Sequence, residues 1–106
     1  MAIDRVATFQ SLIAKSPGDP FPRYGLAMEL RSRGELEASA TSFDELIAAF
    51  PDYVPSYLMA GGVAQQLGRL DAARTLYGRG VEVAGARGDS HARGELMSAL
   101  AAAEAA

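Results

Sequence analysis

One histidine, no cysteine and a scatter of carboxylates are the groups from which this chain could build chemistry. His91 stands beside Asp89 and four residues before Glu95. On a helix that spacing makes His91 and Glu95 a surface pair worth roughly 0.2–0.5 kcal/mol. It does not make a metal centre, because a typical zinc site draws several ligands from Cys and His and this chain supplies one. Glu35 and Glu37 are two apart, so on a helix they point in different directions and read as a solvated first turn. Ser11, Ser42 and Ser56 have no histidine near them in sequence and no nucleophile-elbow context. Ala60-Gly61-Gly62 falls inside a helical stretch, and no G-K-[ST] follows it to cradle a phosphate. The expectation is a non-catalytic chain with no cofactor and no metal.

Composition narrows the alternatives. Ten Lys and Arg face 13 Asp and Glu, a net charge of −3. A duplex-binding surface is strongly basic, so nucleic acid is not the expected partner. No stretch approaches the ~20 apolar residues of a membrane span. Met1-Ala2-Ile3-Asp4-Arg5 lacks the basic-then-apolar order of a signal peptide. A soluble, cytoplasmic chain is expected, with no membrane contact.

Six helices follow from periodicity and breakers. The first is expected over Ile3 to Lys15, with Val6, Phe9, Leu12 and Ile13 on one face. Ser16-Pro17-Gly18-Asp19 breaks it. Asp19 reads as the cap of a second helix, with Pro20 at its first position, running to Arg33. Gly34 can take the left-handed conformation that ends it. The third spans Glu35 to Phe50, the fourth Tyr53 to Leu67, the fifth Leu70 to Ala86. Gly85 and Gly88 loosen the end of the fifth, and Asp89 or Ser90 caps a sixth that runs to Ala103. Acidic Asp19, Glu35, Asp52, Asp71 and Asp89 lie at starts, and basic Lys15, Arg31, Arg33 and Arg87 at ends, as helix dipoles favour. The linkers are short, so neighbouring helices run antiparallel.

A repeat organises these helices. Phe9-x-x-Leu12-Ile13-x-x-x-Pro17, Phe43-x-x-Leu46-Ile47-x-x-x-Pro51 and Tyr77-x-x-Gly80-Val81-x-x-x-Gly85 stand 34 residues apart. Gly34-x-Leu36 and Gly68-x-Leu70 recur in the same phase. A period of that length predicts stacked helical hairpins, each burying the apolar flank of the next.

With these residues in place, the chain resembles the tetratricopeptide repeat family. That 34-residue unit carries W-x-x-L-G-x-x-Y, then A-x-x-x-F, then P. One copy reads Arg23-x-x-Leu26-Ala27-x-x-Leu30, Ser39-x-x-x-Phe43 and Pro51. The next reads Tyr57-x-x-Ala60-Gly61-x-x-Ala64, Ala73-x-x-x-Tyr77 and Gly85. Arg23 departs from the large aromatic, with Tyr24 beside it to fill the space. The resemblance implies an all-α superhelix of antiparallel hairpins: half a repeat over residues 1–17, repeats over 20–53 and 54–87, and a capping helix over 88–106. Helix-interior Gly61, Gly62, Gly78 and Gly80 suggest that the second repeat is the softer one, at ~1 kcal/mol for each exposed glycine.

The resemblance also implies where a partner sits. In that family the first helix of each pair lines a concave groove. Carried over, the groove face holds Phe21, Tyr24, Met28 and Arg31 on the second helix. On the fourth it holds Leu58, Gly62, Gln65 and Gln66, with Tyr53 at the entrance. Some members clamp a terminal carboxylate with Lys and Asn, but this face offers Arg31 as its one cation. An apolar helical or extended peptide fits better. Two alternatives stay open. The sixth helix can fold over the groove and bury these residues, or the first helix can pair with a second copy through Val6, Phe9 or Ile13.

Overall fold

Two kinds of turn divide the chain into helices, and each follows from one residue type. The computed structural model describes residues 4–106. Its helices are α1 (Arg5–Lys15), α2 (Pro20–Ser32), α3 (Leu36–Ala49), α4 (Pro55–Gln66), α5 (Leu70–Ala86) and α6 (Ser90–Ala105). No strand occurs among the described residues. The expected start at Ile3 lies outside them. The described helix begins after Asp4, whose Oδ1 accepts from the N–H groups of Val6 and Ala7 at 3.1 and 3.3 Å. Asp19 and Asp89 cap α2 and α6 in the same way, accepting from Phe21 and Ala92.

The first kind of turn is built on glycine. Gly34, Gly68 and Gly88 have φ of 77°, 76° and 71°. After each, the next N–H reaches back to close the helix end: Glu35 to Leu30, Arg69 to Ala64 and Asp89 to Ala84, at 2.8–2.9 Å. This is the left-handed helix stop that glycine makes without a Cβ clash. The second kind ends in an extended residue before proline, Ser16 before Pro17 and Phe50 before Pro51. Proline disfavours helical geometry in the residue preceding it, which sets the break.

The third copy departs from this alternation. Gly85 stands where Pro17 and Pro51 stand, yet α5 runs straight through it to Ala86. Without proline nothing stops the helix there. It continues to a turn of the first kind at Gly88. The α5–α6 connection is therefore built like the turns inside hairpins α2–α3 and α4–α5. α6 accordingly packs most extensively on α5 and over a smaller area on α4.

Close approach explains the repeat's small residues. A Cβ on Gly61 would stand 2.2 Å from the Tyr77 ring, and one on Gly25 would stand 2.3 Å from the Phe9 ring. Gly80 faces both Tyr57 and Leu96, the latter at 2.9 Å from an added Cβ. Buried Ser39 donates from Oγ to the Ala27 carbonyl at 2.8 Å, which locks α2 to α3. Tyr57 donates its hydroxyl to the Pro51 carbonyl, so the ring of one repeat holds the linker that enters it.

Burial is uneven. Phe43, Leu46, Tyr57, Val63 and Leu96 are the large side chains sealed from solvent, and they come from α3, α4 and α6. α4 alone buries six residues, whereas α1 buries none. α1 touches only α2. An exposed ion network links the two: Asp4 with Arg33 at 3.2 Å, Arg33 with Glu29 at 3.5 Å, Arg5 with Glu29 at 3.9 Å. Gly61 and Gly80 of the second repeat therefore mark close packing while Gly78 stands in open space, and α1 is the least buried of the described helices.

Candidate functional site

Among the described residues the backbone of α2 comes close to that of α4, and α4 to α6, while the backbones of α1, α3 and α5 do not approach one another so closely. Helices that converge lie on the inside of a curved stack, so α2, α4 and α6 form its concave face. A groove of about 350 Å³ opens on that face. Tyr24 of α2 forms one wall. Val54, Pro55, Leu58 and Met59, at the start of α4, form the floor. Ala92 and Leu96 of α6 close the far side, with Asp89, His91 and Glu95 along the rim.

α6 thus supplies a wall of the groove instead of filling it. His91 Nε2 lies 3.2 Å from Glu95 Oε1, the expected surface pair, at the groove's edge. A second hollow of about 520 Å³ lies on the other side of Tyr24, between α1 and α2. Phe9, Phe21, Gly25 and Met28 line it, with Arg5 and Glu29 at its margin. Phe21 is 60% exposed, the most exposed of the large hydrophobic residues among those described.

The residues expected on the groove face divide into two groups. Tyr24 and Leu58 line the main groove, and Phe21 and Met28 join Tyr24 in the second hollow. The others are engaged in packing. Arg31 crosses from α2 to α4, donating from Nε to Gln66 Oε1 at 3.3 Å and pointing a terminal nitrogen at Met59 Sδ. Its guanidinium also passes 3.7 Å from where a Gly62 Cβ would stand, an ordinary contact distance that leaves room for a methyl group. Gln65 accepts the Tyr77 hydroxyl and so belongs to the α4–α5 contact. Tyr53 meets the Tyr24 ring edge-on at 5.8 Å, and Tyr24 meets Phe43 at 6.2 Å. Tyr24 therefore serves packing and groove together, while Arg23 stays half-buried in its own place with Nε sealed from solvent.

Burial pushes the Tyr24 hydroxyl above its ordinary pKa, with Tyr53 adding to the shift. The wall presented to the groove is thus neutral, and the floor beneath it is apolar. Among the described residues no group of three or more His, Cys, Asp or Glu is placed to hold a metal ion. No described helix is long and apolar enough to cross a membrane. Ser56, one of the serines tested for nucleophilic character, is sealed from solvent and its Oγ has no hydrogen-bond partner.

The sequence did not point to Met59, His91, Glu95 or Leu96. The missed signal is Gly88, a third copy of the hairpin turn, which brings α6 back against α5 and places its first two turns beside α4.

Comparison with solved structures decides the family. A tetratricopeptide repeat domain protein from Salinibacter ruber, solved in solution, is 37% identical, with a TM-score of 0.80. The match covers 84% of this chain and 90% of that one. This chain belongs to the tetratricopeptide repeat family. The crystal structure of the Salinibacter ruber domain agrees, at 37% identity and a TM-score of 0.77 over 81% of this chain and 97% of that one. PcrH from Pseudomonas aeruginosa shares the fold at 21% identity, with a TM-score of 0.86 over 93% of this chain and 76% of that chain. A structure of PcrH in complex with the chaperone binding region of PopD is similar to the same degree, at 22% identity and 0.86 over 94% and 76%. No protein-family profile matches the sequence, and no curated protein does.

Proposed function

We propose that this tetratricopeptide repeat chain is a non-catalytic interaction module or adaptor that receives an apolar peptide segment of a protein partner in its concave groove. The carrying observation is half-buried Leu58 and Met59 beside the Tyr24 wall, over buried Val54 and Leu96, on the inner face of the stack. An apolar hollow of this size is where a partner's side chain gains most from leaving water. Tyr24, Leu58, Phe21 and Met28 are the proposed contacts. Arg31, Gln65, Gln66 and Tyr53 hold the walls in place. PcrH, bound to a region of PopD, is a solved example of this fold engaging a protein segment. A cytoplasmic setting belongs to the same proposal, and cell fractionation that places the protein elsewhere removes it.

The experiment is capture of the partner from the source organism, followed by calorimetry with Leu58→Ala. Leu58 is half-buried, so its truncation leaves a folded chain that circular dichroism can verify. A loss of about tenfold in affinity is expected, as for a contact worth more than 1 kcal/mol. Undiminished binding by a folded Leu58→Ala chain discards the groove.

One observation favours a second reading, self-association. Phe21 and Leu12 are 60% and 41% exposed, and α1 has only α2 as a neighbour among the described residues. The α1–α2 hollow then receives a second copy. Light scattering at high concentration tests it, and a strict monomer ends it.

A further inference from the structure

The main groove has a chemical polarity along its length that its apolar floor alone does not convey. At the α2 end the wall is the neutral Tyr24 ring. At the α6 end the rim carries Asp89 and Glu95, and no Lys or Arg lines the groove. Each carboxylate has one oxygen already engaged. Asp89 Oδ1 accepts the Ala92 N–H as the α6 cap, and Glu95 Oε1 faces His91 Nε2. The second oxygen of each is left for another donor, and two carboxylates outnumber one imidazole whatever its charge. Arg87 comes near only on the outer side of Asp89, in the adjoining hollow, where Asp52 also lies.

The α1–α2 hollow is different, because its two charged residues, Arg5 and Glu29, are of opposite sign and pair with each other. The charge that lines the main groove therefore sits at its α6 end and is negative, while Arg31 meets floor residue Met59 at Sδ without itself lining the groove. Charges of this kind set specificity and encounter rate more than affinity.

We propose that the groove selects peptide segments in which an apolar side chain is followed or preceded, within two residues, by Lys or Arg. The apolar side chain enters between Leu58, Met59 and Leu96, and the cation meets the free oxygens of Asp89 and Glu95. This rests on the groove reading above and adds the chemistry of the occupant.

The test uses a random twelve-residue peptide library displayed on phage and panned on the whole chain. Enriched sequences are expected to place Lys or Arg within two residues of Leu, Ile, Met or Phe. A fluorescein-labelled peptide of the leading sequence should lose about 3- to 10-fold in affinity on Glu95→Lys, attraction having become repulsion at an exposed site. Changing the peptide's own Lys or Arg to Glu should restore binding to the Glu95→Lys chain. Apolar peptides with no basic bias, or affinity indifferent to Glu95→Lys, overturn this proposal and leave the groove standing. Enriched peptides that ignore Leu58→Ala, or no enrichment at all, overturn the groove reading and this one with it.

Discussion

Gly61 and Gly78 carry the same intrinsic helix penalty and have opposite surroundings. A Cβ on Gly61 would meet the Tyr77 ring at 2.2 Å, and that ring is buried with its hydroxyl bound to Gln65. It has no room to yield, so Gly61→Ala is expected to destabilise by about 1–3 kcal/mol, the usual cost of overpacking. An added methyl at Gly78 meets nothing within 4 Å. Gly78→Ala should therefore stabilise by up to about 1 kcal/mol through helix propensity alone. Urea denaturation of the two variants checks both signs, and a shared sign contradicts the contact geometry. Half of this contrast was legible in the sequence. Gly61 occupies the small position of the repeat, so a hairpin contact was readable there, and Gly78 showed no such reason. Gly62 has no steric reason in the sequence or in the stack, since Arg31 passes an added methyl at an ordinary 3.7 Å.

At the scale of elements, all six helices were legible because caps, glycines and prolines punctuate a steady apolar period. Gly85 fills the proline place of the repeat without proline's effect, and α5 runs on to Ala86, the end expected from the sequence. A chain can be in phase with its earlier copies and still turn elsewhere, since the break depends on ring geometry and not on position. Restoring the residue provides the test. Gly85→Pro would remove a helical N–H and press its ring on the preceding turn within α5, at a cost of about 3 kcal/mol or more. Because α6 hangs from that last turn, the groove's far wall should shift too. Denaturation midpoints report the first effect, and Glu95 and Leu96 amide chemical shifts report the second. Full stability in Gly85→Pro would mean that α5 ends before Gly85 in solution. The groove residues on α6 were missed because the sequence does not fix the direction in which α6 returns. His91 and Glu95 were readable as a pair, but their place beside Leu58 depends on the Gly88 turn.

For the whole molecule, burial predicts an order of opening. α1 buries no residue; it is held to α2 by the Phe9 ring against Gly25 and by ion pairs of exposed Arg5, Asp4 and Arg33, which contribute little in water. Amide hydrogen exchange should find α1 the least protected helix and α4 the most, since protection follows buried contact. Equal protection in the two would contradict the uneven core. The order also bears on function, because the α1–α2 hollow is bounded by the element that opens first, whereas the main groove is built on the element that opens last.

Tyrosine chemistry makes a second prediction about the whole stack. Burial raises the hydroxyl pKa of Tyr24, Tyr57 and Tyr77 above the ordinary value, because a phenolate loses its hydration there. Tyr57 and Tyr77 also donate their protons, to the Pro51 carbonyl and to Gln65, so ionisation removes a bond as well. A group whose pKa is higher folded than unfolded stabilises the fold fully below its unfolded pKa, here about 10. That contribution is lost as pH rises from there through the folded value, since the unfolded chain releases the proton first. The urea midpoint should therefore show no tyrosine-linked fall below about pH 9.5, and should fall above pH 10 in step with phenolate absorbance. Tyr77→Phe supplies the control. It gives up the bond to Gln65 at every pH and should flatten the alkaline slope. A slope unchanged by Tyr77→Phe would show that the ring closing the α4–α5 hairpin does not link protonation to the fold.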